Sequence, residues 1–588
     1  MARLLDALGS ALGLTRPDTR PAETGQETNR GGTPMKDHID LSFPAAEDVP
    51  GFYAWDKMHA PRPIHPLSAD LVVHTLGKGF TAAQTEYDCP VVTDTIVANG
   101  YFYLGFNPHH DGEVIADRMT RYPGFIEKTV PLVGHRWNAE WFPVIKSRNE
   151  AERDRDYDAM SDEEVFARYF DMLRWMEELW YIHGHINFAL IPGTELSDFY
   201  NEVMQPTDPT ESYQILQGYH TKPVDAAHGL WDLSRKVKAS PDLSKAFAEN
   251  KPRALMPVLQ GSDAGCAFLA DLNAYLHEYG WRSDAVYDLA DVTWREDPTI
   301  PLGNIARYVA MDDSEDPMVS FNASVKRRED RTAAIREKLA NDPERLAKFE
   351  RLLGYSKYAY PLTEDHAFYI DQMGVALLRR YVLVLGERLA KRGSLATAED
   401  IFYLYDRDVR DAMANGTDMK GLVAHRKDEY AAWQGVEPLP FVGNPPPPPT
   451  PGGFVDPFVD SLVSRLLGIK PPSEDAGDPA IIDGVAGAPG TYTGVARVVR
   501  SLAEAGDLED GEVMVCEMTL PPWVPMFSVA GAIVADVGGI MSHCAIVARE
   551  FGVPAVVGSV DGTHRIKTGQ TITVDGTNGN VYLDGRAL

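Results

Sequence analysis

The residues best suited to do chemistry lie near the C-terminus, where two glycines precede a serine and a histidine. A β-type run, Gly531 to Val537, ends at Gly538 and Gly539, whose backbone freedom allows a tight turn. A helix is predicted to begin at Ser542, a favourable N-cap residue, which places His543 at the first helical position. Unpaired amides and the helix dipole both favour a phosphate group at such a position. The segment therefore predicts an anion site with an imidazole nucleophile built into it.

A lone histidine is more often structural than catalytic, but the surrounding residues change that interpretation. The segment resembles the phosphohistidine swivelling domain of the phosphoenolpyruvate synthase and pyruvate phosphate dikinase group. The matching positions are Gly538, Gly539, Ser542, His543, Ala545, Val547, Ala548, Arg549, Glu550, Gly552, Pro554, Ala555 and Val556. The resemblance implies that His543 carries a phosphoryl group. It also implies a phosphate-binding set, which is Gly538, Gly539, Ser542, Thr519 and Arg549. Met541 replaces the regulatory threonine of the dikinases, so that form of control is not expected.

The rest of the C-terminal unit resembles the same family. Pro489 to Gly494 stands where the family has a Pro-Gly-x-x-x-Gly turn, and Thr519 to Phe527 looks like its T-x-P-x-W-x-P-x-F segment. Short β runs alternate with helical pieces from residue 481 onward, which is typical of a small α/β domain. The fold class is therefore predicted as multidomain, with a mainly α-helical substrate domain and a small C-terminal α/β (β/β/α) swivelling domain.

Composition and charge exclude several classes of protein. The 588 residues are 44% hydrophobic and 24% charged, which is typical of globular proteins, and the formal net charge of -30 argues against partners that are nucleic acids or anionic membranes. The four cysteines lack the spacing of metal ligands or of a disulfide framework, so no metal site is predicted and a cytoplasmic location is favoured. No apolar run is long enough for a membrane span.

Composition also divides the chain into four segments. Residues 1–36 are predicted to be a disordered extension, 37–437 a mainly helical acceptor-binding domain, 438–480 a Pro- and Gly-rich linker with a short helix, and 481–588 the swivelling domain. The proline run 445–449 favours stiff polyproline II. The linkers suit a moving domain, although a tether between static domains has the same composition.

The helical segment contains a second resemblance, to the substrate-binding domain of rifampin phosphotransferase and its relatives. Tyr279 to Arg282 and Trp294 to Pro298 carry it, together with further features between Trp55 and Phe402. Trp281 and Val286 stand where the family has His and Glu, so roles of those side chains are not transferred, and a changed substrate pocket is expected.

Candidate residues for transfer to an acceptor follow from this resemblance and from phosphoryl chemistry. Arg282 is predicted to clamp the phosphoryl oxygens, and the alternative is a buried ion pair with Asp288 or Glu296. His366 is the predicted acceptor base, although a hydrogen bond at a helix start would equally explain a histidine there. The other predicted substrate-binding residues are Glu364, Arg379, Arg380, His183, His185 and Trp281.

The nucleotide site is expected elsewhere. The chain has no G-x-x-x-x-G-K-[S/T] loop and no glycine-rich nucleotide domain, so ATP and Mg²⁺ are expected on a separate ATP-grasp-type subunit. This layout resembles phenylphosphate synthase and cresol phosphate synthase, which implies a phenolic acceptor. Aromatic residues such as Trp175, Trp180, Tyr181 and Phe188 would line a flat pocket or, more commonly, the core. The alternatives are an antibiotic-like or other alcohol as acceptor, or a non-enzymatic phosphocarrier or regulatory module.

Overall fold

The computed structural model describes residues 41–108, 111–283, 286–444, 456–468, 478–500, 504, 508–519 and 523–586. The predicted N-terminal extension 1–36 and the proline run 445–449 lie outside these residues. No helix in the described ranges is both long enough and apolar enough to cross a membrane.

The first part of the chain is mainly helical, as its periodicity predicts. The longest helix, Asp162–Asn187, begins with a capping box, in which Glu164 N donates to Ser161 Oγ at 3.3 Å and Ser161 N donates to Glu164 Oε2 at 2.8 Å. Gly393, with φ 87°, follows the helix that ends at Lys391. The other helices of eight or more residues in this part are Thr75–Glu86, Gly112–Thr129, Phe142–Arg153, Leu190–Met204, Pro209–Leu216 (3₁₀), Lys222–Ala239, Pro241–Glu249, Pro252–Gln260, Asp263–Tyr279, Thr299–Ala310, Pro317–Lys338, Pro343–His366, Met373–Lys391, Asp406–Asn415 and Lys420–Trp433.

A small antiparallel sheet flanks these helices. Its strands are β1 (Phe52–Trp55), β2 (Val91–Ala98), β3 (Tyr101–Pro108) and β4 (Phe441–Gly443), in the order β2-β3-β1-β4. Strand β4 pairs with β1 although it lies beyond residue 437, where the sequence predicts the linker to begin. The first few linker residues are therefore part of the helical domain's sheet.

The C-terminal part is built on a mixed eight-stranded sheet in the order β5-β12-β11-β7-β8-β9-β10-β6. Its strands are β5 (Ile481–Asp483), β6 (Val485–Ala488), β7 (Thr491–Val499), β8 (Val513–Cys516), β9 (Ala532–Ala535), β10 (Ala555–Val557), β11 (Thr571–Asp575) and β12 (Asn580–Tyr582). Strands β7 to β10 are parallel neighbours, and the residues of β8, β9 and β10 are buried on both faces. A helical first part followed by a small α/β domain confirms the predicted fold class.

A short helical segment of the linker, residues 457–466, joins the two parts. The Phe458 ring stacks on Phe188 with centroids 4.3 Å apart, and Arg465 forms a bidentate ion pair with Asp198 at 2.9 and 3.0 Å. On its other side, Gly539 N donates to Leu466 O at 2.8 Å. The segment thus connects the loop before His543 directly to the helical domain.

This contact requires glycine at position 539. A Cβ atom there would lie 2.3 Å from Arg465 O and 2.7 Å from Arg465 C, both of them backbone atoms. We expect Gly539→Ala to displace the linker helix and to expose the linker, which limited proteolysis would detect as faster cleavage. Gly354→Ala is the matched control, because a Cβ at Gly354 meets nothing within 4 Å and alanine in a helix interior stabilises by about 0.5–1 kcal/mol. Equal cleavage of the two variants would contradict the packing described here.

Candidate active site

His543 lies at the start of the helix His543–Phe551, as the sequence predicts. Ser542 is the N-cap residue, and its Oγ accepts a hydrogen bond from Ala545 N at 3.4 Å. Gly538, with φ 109°, makes the turn from strand β9 toward this helix. The helix dipole and the free amides of the first turn therefore point at the space around the imidazole.

The helical domain supplies a carboxylate to this imidazole. His543 Nδ1 lies 3.2 Å from Glu364 Oε2, and the two side chains are only 14% and 16% exposed. A carboxylate at this distance accepts a hydrogen bond from Nδ1, and no residue that the structure describes forms a hydrogen bond with His543 Nε2. The arrangement leaves Nε2 as the atom with the free lone pair, which is the form a nucleophile needs.

The charge on Glu364 is maintained by its neighbours. Burial raises the pKa of its carboxyl, but the nearby His543, His366 and Arg282 outweigh this effect and lower the pKa overall. Arg282 is 1% exposed, with its guanidinium carbon 5.1 Å from the Phe368 ring centroid. Among the described residues, none forms a hydrogen bond with its Nε or Nη2. Arg282 thus supports Glu364 electrostatically from within the helical domain.

Two cavities meet at the His543–Glu364 pair. The larger has a volume of about 150 Å³ and is lined by both domains, and the smaller has a volume of about 60 Å³. Among the described residues that line them, none is Lys or Arg. The aromatic and charged lining residues of the larger cavity are Asp56, His59, Phe80, Phe106, His183, Tyr287, Glu364, His366, Asp371 and His543.

Buried histidines and carboxylates form one wall of the larger cavity. His366 Nε2 lies 3.1 Å from His183 Nε2, and His183 Nδ1 lies 2.9 Å from Asp371 Oδ1. His366 Nδ1 donates to Leu362 O at 2.8 Å. Burial, together with the neighbouring His183, lowers the pKa of His366 to about 4, so its ring is neutral near pH 7. We refer to His183, His366 and Asp371 as the His-His-Asp cluster.

Local backbone geometry places two members of this cluster side by side. The helix ending at His366 continues through a π-helical turn, Ala367–Gln372, in which Met373 N bonds to Phe368 O. Hydrogen bonds from i to i+5 widen the helix, so residues five apart share a side, and such turns are frequent at functional sites. His366 and Asp371 are five apart.

A histidine–carboxylate pair, His59 with Asp56, faces the same cavity. His59 Nδ1 lies 2.8 Å from Asp56 Oδ2, and its ring stacks on Tyr287 with centroids 4.5 Å apart. Burial lowers the pKa of His59, but the Asp56 and Asp371 carboxylates outweigh it and raise the pKa overall. A His–Asp pair whose second ring nitrogen is available is a common arrangement for a general base.

The predicted phosphate-binding residues lie in or next to the site. Ser542 and Thr519 line the larger cavity, and Thr519 Oγ1 is buried with no hydrogen bond to oxygen or nitrogen in the described part of the chain. Gly538 and Gly539 form the turn before the helix. Arg549 Nη1 donates to Gly487 O at 2.6 Å, while its guanidinium carbon lies 5.1 Å from the Tyr213 ring centroid in the helical domain. Arg549 therefore contributes to packing between the two domains.

The structure places several other predicted site residues in contacts away from His543. Arg379 pairs with Glu296 at 2.8 and 3.0 Å, so Glu296 is not the partner of Arg282. Asp288 pairs with His65 at 2.8 Å instead. Arg380 donates to Glu152 O and Arg155 O. His185 Nδ1 lies 3.0 Å from Tyr87 Oη, and Trp281 Nε1 donates to His277 O. The aromatic residues Trp175, Trp180, Tyr181 and Phe188 lie in the core.

Four residues of the site were not predicted from the sequence: Asp56, His59, Asp371 and Glu550. Asp371 is separated from His183 by 188 positions, and only the fold brings them together. The segment Trp55 to His59 does carry a weak signal, since a carboxylate and an imidazole three residues apart form a pair readily. Glu550 belongs to the histidine motif, but the motif assigns it no role in the site.

Two sequence-family models match the chain. "Rifampicin phosphotransferase fourth domain" matches residues 186–364, and "PEP-utilising enzyme, mobile domain" matches residues 508–579. The first range lies in the helical domain and ends at Glu364, while the second contains His543. These matches relate the chain to the rifampicin phosphotransferases and PEP-utilising enzymes that carry a mobile phosphohistidine domain.

Similar proteins come from several bacteria. Chondramide synthase cmdD of Chondromyces crocatus is 32% identical over 99% of this chain and 15% of its own length. The uncharacterized phosphotransferase YvkC of Bacillus subtilis is 28% identical over 93% of this chain and 65% of its own length. A rifampicin phosphotransferase of Streptomyces sviceus is 29% identical over 60% of this chain and 39% of its own length. The chain thus spans less than two thirds of each of these relatives.

Glu550 predicts a pH-dependent association of the two domains. Burial raises the pKa of its carboxyl to about 7, and the neighbouring Glu364 contributes to the rise. A freely exposed Glu has a pKa of about 4.3, so the docked state binds the extra proton between about pH 4.3 and pH 7. Docking is therefore favoured at low pH and weakens as the pH rises through about 7.

Glu550→Gln should remove this dependence. In the wild type, the docking constant is expected to fall about tenfold between about pH 6 and pH 8, and the variant should show a flatter profile. Energy transfer between dyes on the helical domain and the mobile domain measures the docked fraction. Glu249→Gln is the control, since Glu249 is exposed on another helix. A steep profile in Glu550→Gln equal to that of the wild type would contradict the assignment.

Proposed function

We propose that this chain, which combines a rifampicin phosphotransferase-type helical domain with a PEP-utilising-type mobile domain, transfers a phosphoryl group from His543 to the hydroxyl of a small acceptor. The observation that carries the proposal is that His543 opens onto a cavity formed jointly by both domains, with Glu364 of the helical domain on its Nδ1. The described arrangement corresponds to the state in which the histidine faces the acceptor.

The contact with Glu364 assigns separate roles to the two ring nitrogens. Nδ1 keeps its proton because it donates a hydrogen bond to the Glu364 carboxylate. The phosphoryl group is therefore carried on Nε2. When the N–P bond breaks, the leaving group is then a neutral imidazole rather than an imidazolate. Glu364 acts through His543 and is a positioning residue.

Transfer to the acceptor is a displacement at phosphorus. The acceptor oxygen attacks, the O–P bond forms, the Nε2–P bond breaks, and the hydroxyl proton passes to a base. His59 is well placed for that role, because Asp56 holds its Nδ1 and raises its pKa. His366, the base predicted from the sequence, has Nδ1 bound to Leu362 O and Nε2 facing His183.

The phosphoryl group must come from another site. We assign ATP and Mg²⁺ to a separate ATP-grasp-type partner subunit, in keeping with the layout that the sequence resembles. The mobile domain would leave the helical domain, receive the phosphoryl group and return. Separation of the two reactions excludes ATP from the acceptor cavity.

The acceptor is a phenol or a larger alcohol. Phe80, Phe106 and Tyr287 in the cavity wall favour a flat aromatic compound, which would give an aryl phosphate. A phenol also needs less help from a base, since its pKa is about 10. The match to a rifampicin phosphotransferase domain favours an antibiotic-like alcohol as the second candidate.

Chemical phosphorylation tests the role of His543 without the partner. Phosphoramidate, a small donor that phosphorylates accessible histidines, should give the wild type an acid-labile, alkali-stable label that His543→Ala lacks. His277→Ala is the control, because the His277 side chain is 49% exposed and lines neither cavity. Addition of a panel of phenols and larger alcohols should then release the label as a phosphorylated product.

Glu364→Gln separates positioning from loading. We expect this variant to accept the label but to transfer it roughly 100-fold more slowly, because Nδ1 loses its carboxylate partner. Transfer at the wild-type rate would contradict the role of Glu364. A label retained by His543→Ala would overturn the assignment of the nucleophile, and a stable label with no product from any acceptor would favour a phosphocarrier.

A further inference from the structure

We propose that the His-His-Asp cluster, His183, His366 and Asp371, binds one divalent transition-metal ion, best matched by Zn²⁺, in the wall of the larger cavity. Each residue offers one ligand atom, and these atoms lie within 4.8 Å of one another. All three side chains are buried. Two imidazoles and one carboxylate form a ligand set that zinc takes in sites with an open fourth position.

The ring nitrogens of the two histidines can be arranged for an ion. His366 Nδ1 faces the carbonyl oxygen of Leu362 at 2.8 Å, so this nitrogen carries the ring's proton and Nε2 carries the lone pair. His183 Nε2 lies 3.1 Å from His366 Nε2, and without an ion it donates a hydrogen bond to that lone pair. His183 Nδ1 lies 2.9 Å from Asp371 Oδ1, so the His183 proton can move to Nδ1 and leave both Nε2 lone pairs for an ion.

The spacing of the ligand atoms also fits one ion. Zinc binds nitrogen and oxygen ligands at about 2.0 to 2.2 Å, so two ligand atoms on one ion lie no more than about 4.4 Å apart. His183 Nε2 and His366 Nε2, at 3.1 Å, meet this limit, and so do His366 Nε2 and Asp371 Oδ2, at 3.9 Å. In addition, a backbone carbonyl or a carboxylate faces the other ring nitrogen of each histidine, as is usual around metal ligands.

The charge in the larger cavity also favours a cation. A phosphoryl group on His543 brings negative charge into this cavity, which Glu364 and Asp371 also line. None of the described residues that line the cavity is Lys or Arg. His183 Nδ1 and Asp371 Oδ1 are buried and lack an aligned hydrogen-bond partner, although they lie close together. A divalent cation would satisfy the carboxylate and balance the incoming charge.

The role of the ion rests on the proposed function. An ion held by these three residues would have a fourth position for the acceptor oxygen, whose pKa it would lower. The proton of the bound hydroxyl passes to His59, the O–P bond forms and the His543 Nε2–P bond breaks. The sequence predicts no metal site, because its three ligands are not close in the sequence and only His366 and Asp371 share a turn.

Metal binding is measured on the full-length chain with Zn²⁺ alone, after chelation and dialysis. We expect one tightly bound equivalent in the wild type, and a loss of affinity of roughly 100-fold or more in His366→Gln and in Asp371→Asn. His59→Gln, which changes a histidine of the same cavity outside the cluster, should keep the bound equivalent. Cys266→Ser should keep it too, which excludes binding at the exposed thiol.

X-ray absorption of the Zn²⁺-loaded wild type provides a test that does not depend on a variant folding. The expected first shell contains only nitrogen and oxygen, with scattering from imidazole. A wild type that binds no zinc, a shell with sulfur, or equal affinity in the cluster variants and in His59→Gln would overturn the proposal. Labelling of His543 by phosphoramidate should persist in His366→Gln, so failure of the metal site and failure of the phosphohistidine are distinguishable.

Discussion

The contact between His543 and Glu364 is the interaction on which the other features of the site depend. It joins an imidazole of one domain to a carboxylate of the other at 3.2 Å, and it fixes which ring nitrogen is free. The contact forms only if the mobile domain lies against the helical domain in one orientation. The chain must therefore hold that orientation well enough to align the ring, yet release it so that His543 can be loaded.

The surface between the domains suits that double demand. Apolar side chains of the mobile domain, Met541 and Ile546, join a core cluster of the helical domain that also includes Phe188 and Leu190. Polar contacts between the same two domains include the bond from Lys57 Nζ to Val560 O at 3.2 Å. The linker helix adds a covalent connection beside the histidine loop. Such a mixture of modest apolar contact and scattered polar bonds is typical of domains that move relative to each other.

The sequence predicts those parts of the molecule that depend on local patterns. Ser542 and the glycine pair predict the start of the helix, the 3.6-residue period predicts the helical domain, and Ser161 with Glu164 predicts a helix start. It also identifies Glu364 as a substrate-domain residue, although the contact with His543 was not foreseen. The His-His-Asp cluster depends on a π-helical turn and on packing between distant helices, and neither leaves a recognisable pattern. The partners of Arg379 and Asp288 depend on tertiary packing in the same way.

The central claim, that phosphorus passes from His543 to a hydroxyl in the shared cavity, is tested most directly by a chase with isolated phosphorylated chain. The labelled protein is freed from its donor, mixed with an accepting phenol or alcohol, and followed by ³¹P NMR. The account predicts that the phosphohistidine signal disappears as one equivalent of phosphate ester appears, without an intermediate rise of inorganic phosphate. Loss of the signal to inorganic phosphate alone, at the same rate with and without acceptor, would contradict the account.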